Sequence, residues 1–297
     1  MKEKTLIVVT GATGSGKTDL AIRLACHFQC HIISADSRQI YRDIPIGTCA
    51  PTEEQLAAVP HHFVGTLPLD AYYSAACFES DVMALLPKLW EESDVAVMCG
   101  GSMMYVDAVT RGIDDLPTIS EKVREEVYGI YNRYGVERIR EMLSEMDPEY
   151  MSEVDASNPK RLIHAVEIIM ESGRKYSELR TGEVKERPFR IVPIAIGMPR
   201  EELFERINRR VDAMMAAGFE QEARNVYHLR NLNSLNTVGF KEMFAMFDGA
   251  MSRETAVARI GKNTRVYAKK QLTWLKKRPE YNVLPAASAF DAALKLI

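Results

Sequence analysis

A glycine-rich segment near the start of the chain combines residue types that bind phosphate. Gly11-Ala-Thr-Gly-Ser-Gly-Lys17-Thr18 matches G-x-x-x-x-G-K-[ST] and lies between a predicted strand, residues 4–10, and a predicted helix, residues 17–28. Loop N–H groups converge on an anion, the lysine adds a cation, and the threonine hydroxyl can ligate Mg²⁺. The pattern predicts a di- or triphosphate site with Thr18 as the metal ligand. Its residues are Gly11, Ala12, Thr13, Gly14, Ser15, Gly16, Lys17 and Thr18.

Asp36 is the second candidate for chemistry, because it follows a short apolar run, residues 31–35, that is predicted as a strand. Open parallel sheets bind ligands at the carboxyl ends of their strands. Asp36 is therefore a candidate base or metal ligand, although a helix cap or turn residue would satisfy the same pattern. The apolar run 94–101 ends in glycines before Ser102. An NTPase would usually place an acidic metal ligand there, so hydrolysis is disfavoured as the main activity.

These residues need a scaffold, and the chain alternates between strand and helix patterns up to about residue 116. Residues 118–179 have only helical periodicity, and the apolar run 190–197 returns to a strand pattern. We therefore predict an α/β fold, a P-loop NTPase-like parallel sheet with flanking helices and an all-helical insertion domain. The predicted core domain comprises residues 1–116 and 190–297, and the insertion comprises residues 117–189.

Composition narrows the class of protein further. The chain has 297 residues, of which 46% are hydrophobic, and no apolar stretch long enough to span a bilayer. Five cysteines without C-x-x-C spacing indicate neither a disulfide framework nor a zinc site, which favours the cytoplasm. The net charge of −3 means that an RNA partner would need a local basic patch. Residues 262–278 carry seven Lys or Arg and no acidic residue, although a basic helix is more often merely solvated.

Sequence blocks along almost the whole chain resemble those of the tRNA dimethylallyltransferases, also called tRNA isopentenyltransferases. Three residues or pairs depart from that family's usual pattern: Ser102 replaces threonine, Phe240 replaces tyrosine, and Cys49-Ala50 replaces Ala-Lys. Besides the phosphate loop, the matching blocks are Asp36-Ser-Arg-Gln-Ile-Tyr-Arg42, Ile46-Gly-Thr48, Pro60-His-His-Phe63, Tyr73-Ser-Ala-Ala76, Gly100-Gly-Ser-Met-Met-Tyr105, Asn158-Pro-Lys-Arg-Leu162, Arg206-Ile-Asn-Arg-Arg-Val-Asp-Ala-Met214, Val238-Gly-Phe-Lys-Glu242 and Thr264-Arg-Val-Tyr-Ala-Lys-Lys-Gln-Leu-Thr-Trp274.

The resemblance implies a Mg²⁺-dependent transfer of a dimethylallyl group from dimethylallyl diphosphate to tRNA. The acceptor would be N6 of the adenosine on the 3′ side of the anticodon, and the products N6-(dimethylallyl)adenosine and diphosphate. By the same resemblance Asp36 is the general base, and Lys17, Thr18 and Arg210 are the other catalytic residues, with Arg210 also binding diphosphate. Arg206, one helical turn earlier, shares a face with Arg210, but the family match favours Arg210.

The resemblance also implies an RNA-binding surface and a monomeric enzyme. His61 and His62 are interpreted as structural or tRNA-contacting, because adjacent residues of an extended segment point to opposite faces and no other ligands are near in sequence. The residues expected to contact tRNA are Asp36, Ser37, Arg38, Gln39, Ser102, Arg124, Pro159, Lys160, Arg161, Leu162 and Ile163.

Rival functions share parts of this pattern. An adenylate isopentenyltransferase would use the same fold to prenylate free AMP, ADP or ATP, but it needs neither a helical insertion nor a basic C-terminal helix. A small-molecule kinase needs the glycine loop and would convert ATP to ADP. A non-catalytic RNA-binding module would have no use for the intact Lys17, Thr18 and Asp36. Transfer to tRNA is the favoured prediction.

Overall fold

A computed structural model describes residues 3–297 and shows an α/β fold. Its described residues form a six-stranded sheet in the order β3-β2-β4-β1-β5-β6, with every neighbouring pair parallel. The predicted parallel sheet is therefore confirmed. The strands are β1 (Thr5–Gly11), β2 (Ile32–Ser34), β3 (His61–His62), β4 (Val95–Cys99), β5 (Arg190–Gly197) and β6 (Asn282–Pro285).

The central strand β1 explains why the sequence folds as a sheet covered on both faces. All seven of its residues are buried, as is typical of a parallel strand between two layers of helices. Leu6 and Val8 pack into the apolar cluster on one face, whereas Ile7 and Val9 pack into the cluster on the other. This two-sided burial fixes the phosphate loop, which follows β1, at the carboxyl edge of the sheet.

Helices connect and cover the strands. Short 3₁₀ turns occur at Tyr227–Leu229, Asn233–Leu235 and Ala286–Ser288. The helices are α1 (Lys17–Phe28), α2 (Pro45–Thr48), α3 (Glu53–Ala58), α4 (Ala75–Glu92), α5 (Met103–Arg111), α6 (Glu121–Met146), α7 (Pro148–Glu153), α8 (Pro159–Ser172), α9 (Tyr176–Leu179), α10 (Arg200–Ala216), α11 (Phe219–Asn225), α12 (Phe240–Phe247), α13 (Arg253–Leu275) and α14 (Ala289–Leu294). Across residues 3–297, none of these helices is long and apolar enough to cross a membrane.

The chain divides into two compact units, one formed by Met1–Arg111 with Glu186–Ile297 and the other by Gly112–Lys185. The second unit contains α6 to α9 and has its own apolar core, in which α6 packs against α8. The predicted insertion, residues 117–189, begins and ends a few residues later than this unit. Helix α6 is interrupted at Gly135, whose φ of 76° lies in the left-handed region that glycine tolerates.

Two edge strands were not predicted. β3 has two residues and β6 has four, too few for their alternation to stand out from a loop. Both are held by pairing with a longer neighbour, β2 in one case and β5 in the other. Edge strands of this kind are set by tertiary contacts rather than by local sequence.

Candidate active site

A cavity of about 610 Å³ lies at the carboxyl ends of β1, β2 and β4. Its wall includes Lys17 and Thr18 from the start of α1, Asp36 from the turn after β2, Ser102 from the turn after β4, and Arg210 from α10. Each follows a strand or lies on a helix packed beside the sheet. The structure therefore brings together all four residues predicted to be catalytic, along with Ser102.

The phosphate loop forms one end of this cavity. Gly14 and Gly16 have φ values of 84° and 91°, which residues with a Cβ rarely adopt, and Gly16 is the residue before the first turn of α1. Thr13 lines the cavity, whereas Ala12 and Ser15 are almost completely buried. Ala12 and Ser15 can therefore contribute to anion binding only through their backbone. The loop has the shape that an anion site at a helix N-terminus requires.

Lys17 is a cation held in this wall without a carboxylate bonded to its ammonium group. Its Nζ donates a hydrogen bond to the Ala12 carbonyl at 2.9 Å. Burial lowers the pKa of Lys17 to about 8, while Cys99 and Asp36 act to raise it and Arg210 to lower it. A bound phosphate would supply the missing negative charge and favour the protonated lysine.

Asp36 begins a tight turn after β2. Its Oδ1 accepts hydrogen bonds from the backbone N–H groups of Arg38 at 2.9 Å and Gln39 at 3.3 Å. The sequence left open whether Asp36 is a turn residue or a base or metal ligand. The two interpretations are compatible, because Asp36 closes the turn and also lines the cavity. The turn fixes the carboxylate beside the phosphate loop.

The turn after β2 is joined to the turn after β4. The Ser37 N–H donates to Ser102 Oγ at 2.9 Å, and the two hydroxyls are 3.2 Å apart. Gly100 permits this approach, since a Cβ there would collide with the Ala35 carbonyl. Ser102, which keeps the hydroxyl of the more usual threonine, thus holds the Asp36 turn in place.

Arg38 and Gln39 differ in their surroundings. Arg38 Nη1 donates to the Asn233 carbonyl at 2.7 Å on the surface. Gln39 Nε2 instead donates to the Cys49 carbonyl at 3.0 Å, and its Oε1 accepts from Ser34 Oγ at 3.1 Å. Both residues line the cavity, but only Arg38 also bonds to a backbone carbonyl at the surface.

The structure places Arg210 in the cavity and Arg206 outside it. Arg210 Nε donates to Cys49 Sγ at 2.7 Å, and Nη1 lies 3.4 Å from Thr13 Oγ1 in the phosphate loop. Arg206 pairs with Glu202 at 3.1 Å and lines a separate cavity behind the loop. Arg210 is thus the arginine positioned to contact an anion held by the loop.

Residues that sequence reasoning did not assign complete the cavity wall. Tyr267 and Gln271 of α13 both contact the Gly101 carbonyl, at 3.3 Å and 2.8 Å. Their sequence block matched the family pattern, which was the only signal available, and gave them no individual role. The turn before α12 adds three more wall residues and α12 adds two: Asn236, Thr237, Val238, Lys241 and Glu242.

The two adjacent histidines point in different directions, as predicted for an extended segment. His61 lines the cavity, with its Nδ1 2.7 Å from the Val59 carbonyl. His62 Nε2 is 2.9 Å from His31 Nδ1. Among residues 3–297, no group of three or more His, Cys, Asp or Glu could hold a metal ion.

The remaining predicted tRNA contacts lie in the helical unit. Arg124 is on α6, with its Nε 3.7 Å from Glu167 Oε1, and Lys160 and Arg161 are exposed near the start of α8, after Pro159. Leu162 and Ile163 are buried in the core of this unit. The side chains of these two residues therefore serve packing, which leaves the exposed basic residues for any contact with RNA.

The fold and the glycine-rich loop at the carboxyl edge of its sheet together define a P-loop-type α/β protein. Residues 39–278 match the protein-family model described as IPP transferase. The chain belongs to this family and is a transferase. The resemblance found in the sequence blocks is confirmed.

Similar proteins support this assignment over nearly the whole chain. The chain is 53% identical over 273 residues to tRNA dimethylallyltransferase 1 of Phocaeicola vulgatus, with 92% of this chain and 91% of the relative covered. A full-length tRNA isopentenylpyrophosphate transferase from Bacillus halodurans has a similar structure, with a TM-score of 0.69, 30% identity and 99% of each chain covered. A eukaryotic dimethylallyltransferase crystallised acting on tRNA has the same fold, with a TM-score of 0.81, 24% identity and coverage of 98% of this chain and 77% of that one.

Proposed function

We propose that this protein transfers the dimethylallyl group of dimethylallyl diphosphate to N6 of the adenosine on the 3′ side of the anticodon in tRNA. The products are N6-(dimethylallyl)adenosine and diphosphate. One observation carries the proposal: in a chain of the IPP transferase family, the phosphate loop and the Asp36 carboxylate line the same cavity. A diphosphate leaving group bound by the loop and the Asp36 base would therefore lie in the same cavity, where the donor and the acceptor can meet.

The donor half of the cavity suits a diphosphate leaving group. Loop N–H groups, Lys17 and Arg210 present positive charge to the same region. Breaking the bond between the prenyl carbon and the diphosphate oxygen concentrates negative charge on that oxygen. Preorganised donors stabilise such charge without reorganising during the reaction. The loop thus binds the group that leaves.

Mg²⁺ fits the donor set of the loop. Thr18 provides a hydroxyl in the cavity wall, and oxygen is the ligand type that Mg²⁺ prefers. The described residues offer no cluster of three acidic, His or Cys side chains, but Mg²⁺ is commonly held by one or two protein groups together with substrate phosphates. When bound, the ion would neutralise part of the diphosphate charge.

The acceptor half of the cavity suits an exocyclic amine. As N6 forms its bond to the prenyl carbon, the amine must lose a proton, and Asp36 is the carboxylate in place to take it. An adenine stacked in the anticodon loop cannot reach a cavity of this kind. We therefore expect it to be extruded from the stack, with Ser37 and Ser102 beside the point of entry.

Free AMP, ADP or ATP is the rival acceptor, and two surfaces favour tRNA over it. The helical unit exposes Lys160 and Arg161, and α13 exposes Lys262 and Lys269, which do not line the cavity. Basic residues outside the cavity have no role with a mononucleotide, whereas they match the phosphates of an anticodon arm. We also propose that the protein is a monomer and acts in the cytoplasm, where tRNA is available.

Transfer of labelled dimethylallyl from its diphosphate, with Mg²⁺, to an unmodified anticodon stem-loop tests the proposal. AMP and ATP are included as separate acceptors in parallel reactions. We expect label on the stem-loop alone. Label on the free nucleotides would replace tRNA with an adenylate acceptor, and conversion of ATP to ADP without label transfer would indicate a kinase.

A further inference from the structure

Gln271 is a buried glutamine on α13 whose two amide atoms bond to two different loops of the active site. Only 4% of the residue is exposed. Its Oε1 accepts the Thr13 N–H at 2.8 Å, and its Nε2 donates to the Gly101 carbonyl at 2.8 Å. One side chain therefore connects the phosphate loop to the turn after β4.

This connection continues to the catalytic carboxylate. Gly101 is followed by Ser102, whose Oγ accepts the Ser37 N–H at 2.9 Å. Ser37 follows Asp36, whose Oδ1 accepts the Arg38 N–H at 2.9 Å. Hydrogen bonds and peptide units thus run without interruption from the phosphate loop, through Gln271, to the Asp36 turn.

The fit around Gln271 leaves little freedom. A Cβ on Gly101 would collide with Gln271 Nε2, so the glycine at this position is required by the close approach of the side chain. The bond from the Thr13 N–H also occupies that donor, so this amide does not need an anion as its partner. Gln271 therefore acts on the position of the loop and not on the phosphate itself.

We propose that Gln271 is a positioning residue that fixes the distance between the diphosphate on the phosphate loop and the Asp36 base. The inference rests on the proposed function, in which the prenyl carbon must lie between these two groups. Reaction rates depend steeply on such distances, and a displacement of about 1 Å can cost about 100-fold. Lys270 is adjacent in sequence and lines the same cavity, so the helix that ties the loops also faces the site.

Gln271→Met is the first variant, because methionine has nearly the same shape and cannot form either hydrogen bond. We expect kcat to fall about 10- to 100-fold in transfer to the stem-loop, with the KM for the stem-loop little changed. Gln221→Met is the matched control, since Gln221 is exposed on α11, far in sequence from the active-site loops, and its Nε2 donates to Asn225 Oδ1 on the same helix. The control is expected to retain wild-type kcat.

Gln271→Glu provides a readout that general destabilisation would not produce. An ionised glutamate can accept the Thr13 N–H but repels the Gly101 carbonyl, whereas a protonated one can make both hydrogen bonds. The ratio of the variant kcat to the wild-type kcat is therefore expected to rise as the pH is lowered. Taking the ratio removes the protonation of Asp36, which affects both proteins.

The outcomes separate this inference from the proposed function. Failure of the wild-type protein to transfer label would overturn the function itself. Wild-type transfer with an unchanged kcat in Gln271→Met, or with a pH-independent ratio for Gln271→Glu, would overturn the positioning role alone. If Gln271→Met does not fold, as judged by its circular dichroism and melting temperature, the pH dependence of Gln271→Glu decides the matter.

Discussion

Asp36 has a structural role in its turn, and we propose that the same side chain is the general base. Its Oδ1 closes the turn after β2 by accepting two backbone N–H groups, and the same carboxylate lines the cavity beside the phosphate loop. A side chain fixed by its own turn loses little conformational freedom when a substrate binds. The turn therefore holds the carboxylate in a fixed position for the proposed proton transfer.

Replacing Asp36 with asparagine separates the two roles. The amide oxygen of Asp36→Asn can still accept the Arg38 and Gln39 N–H groups, but it cannot take the N6 proton. We expect transfer to fall by about 10²- to 10⁴-fold, the usual contribution of a general base, with little change in stem-loop affinity. Single-turnover transfer and filter binding measure the two quantities. Asp43→Asn, at an exposed position nearby, is the control; parallel losses of transfer and affinity in Asp36→Asn would argue against the base.

Lys17 is expected to reduce the stability of the ligand-free protein. Because its pKa falls from 10.5 to about 8 on folding, the unfolded chain binds more protons between these pH values and stability rises with pH there. Below pH 8 the charged, partly buried lysine in the cavity wall is a net cost. We expect Lys17→Met to raise the melting temperature at pH 7 by roughly 2–4 °C, as about 1 kcal/mol does in a large domain. The gain should shrink from pH 8 towards 10.5, and a gain constant over that range would contradict the assignment.

At the scale of single elements, the basic segment at residues 262–278 lies on α13 and the residues just after it. Its side chains have two different kinds of surroundings. Lys262, Lys269 and Lys270 are exposed. Arg278 Nη2 instead pairs with Asp107 at 2.8 Å, and Trp274 Nε1 donates to the same carboxylate at 2.8 Å. The basic run therefore combines an exposed lysine group with an anchor that holds the end of the helix to α5.

Only the exposed group should affect RNA binding. We expect Lys262→Ala/Lys269→Ala, at two exposed positions that do not line the cavity, to weaken stem-loop binding and to reduce the slope of log affinity against log salt by about 1 to 2, because each lysine neutralises roughly one phosphate. Titrations at several salt concentrations measure the slope. Lys88→Ala, exposed on α4, controls for the change in net charge. An unchanged slope in the double variant would remove these lysines from the RNA-binding surface.

At the scale of the whole molecule, the two units have separate cores. The core of Gly112–Lys185 is anchored by Asp147, which is fully buried. Asp147 accepts the Tyr150 N–H at 3.1 Å, and the Ser177 N–H at 2.7 Å. Burial acts to raise the pKa of Asp147, but these hydrogen bonds outweigh it and lower the pKa. The carboxylate therefore stabilises the unit above its unfolded pKa, and this contribution is lost as the pH falls through the folded pKa.

Removing this carboxylate should affect one unit alone. We expect Asp147→Ala to destabilise Gly112–Lys185 by about 2 kcal/mol, because it leaves buried N–H groups without partners and removes the cap of α7. Hydrogen exchange measured by mass spectrometry should then speed up in α7 to α9 and stay unchanged in β1 and α1. Asp155→Ala, at an exposed position in the same unit, is the control. Faster exchange throughout the chain would show that the two units unfold together.

The sequence alone determined the features that depend on local pattern. The phosphate loop between β1 and α1, the return to the sheet at β5, and the ordered blocks of the family could all be read without coordinates, because glycine spacing, apolar periodicity and residue order are properties of the chain itself. The same patterns were enough to predict the class of fold and the family.

Only the tertiary structure decided which side chains meet. It separated Arg210 from Arg206, buried Leu162 and Ile163, and brought Gln271 to a loop 258 residues earlier in the chain. Local periodicity gives the face of a helix but not the element packed against that face. Contacts between distant segments depend on how the whole sheet and its helices pack. That packing is determined by many residues along the chain together and not by the local sequence around any one of them.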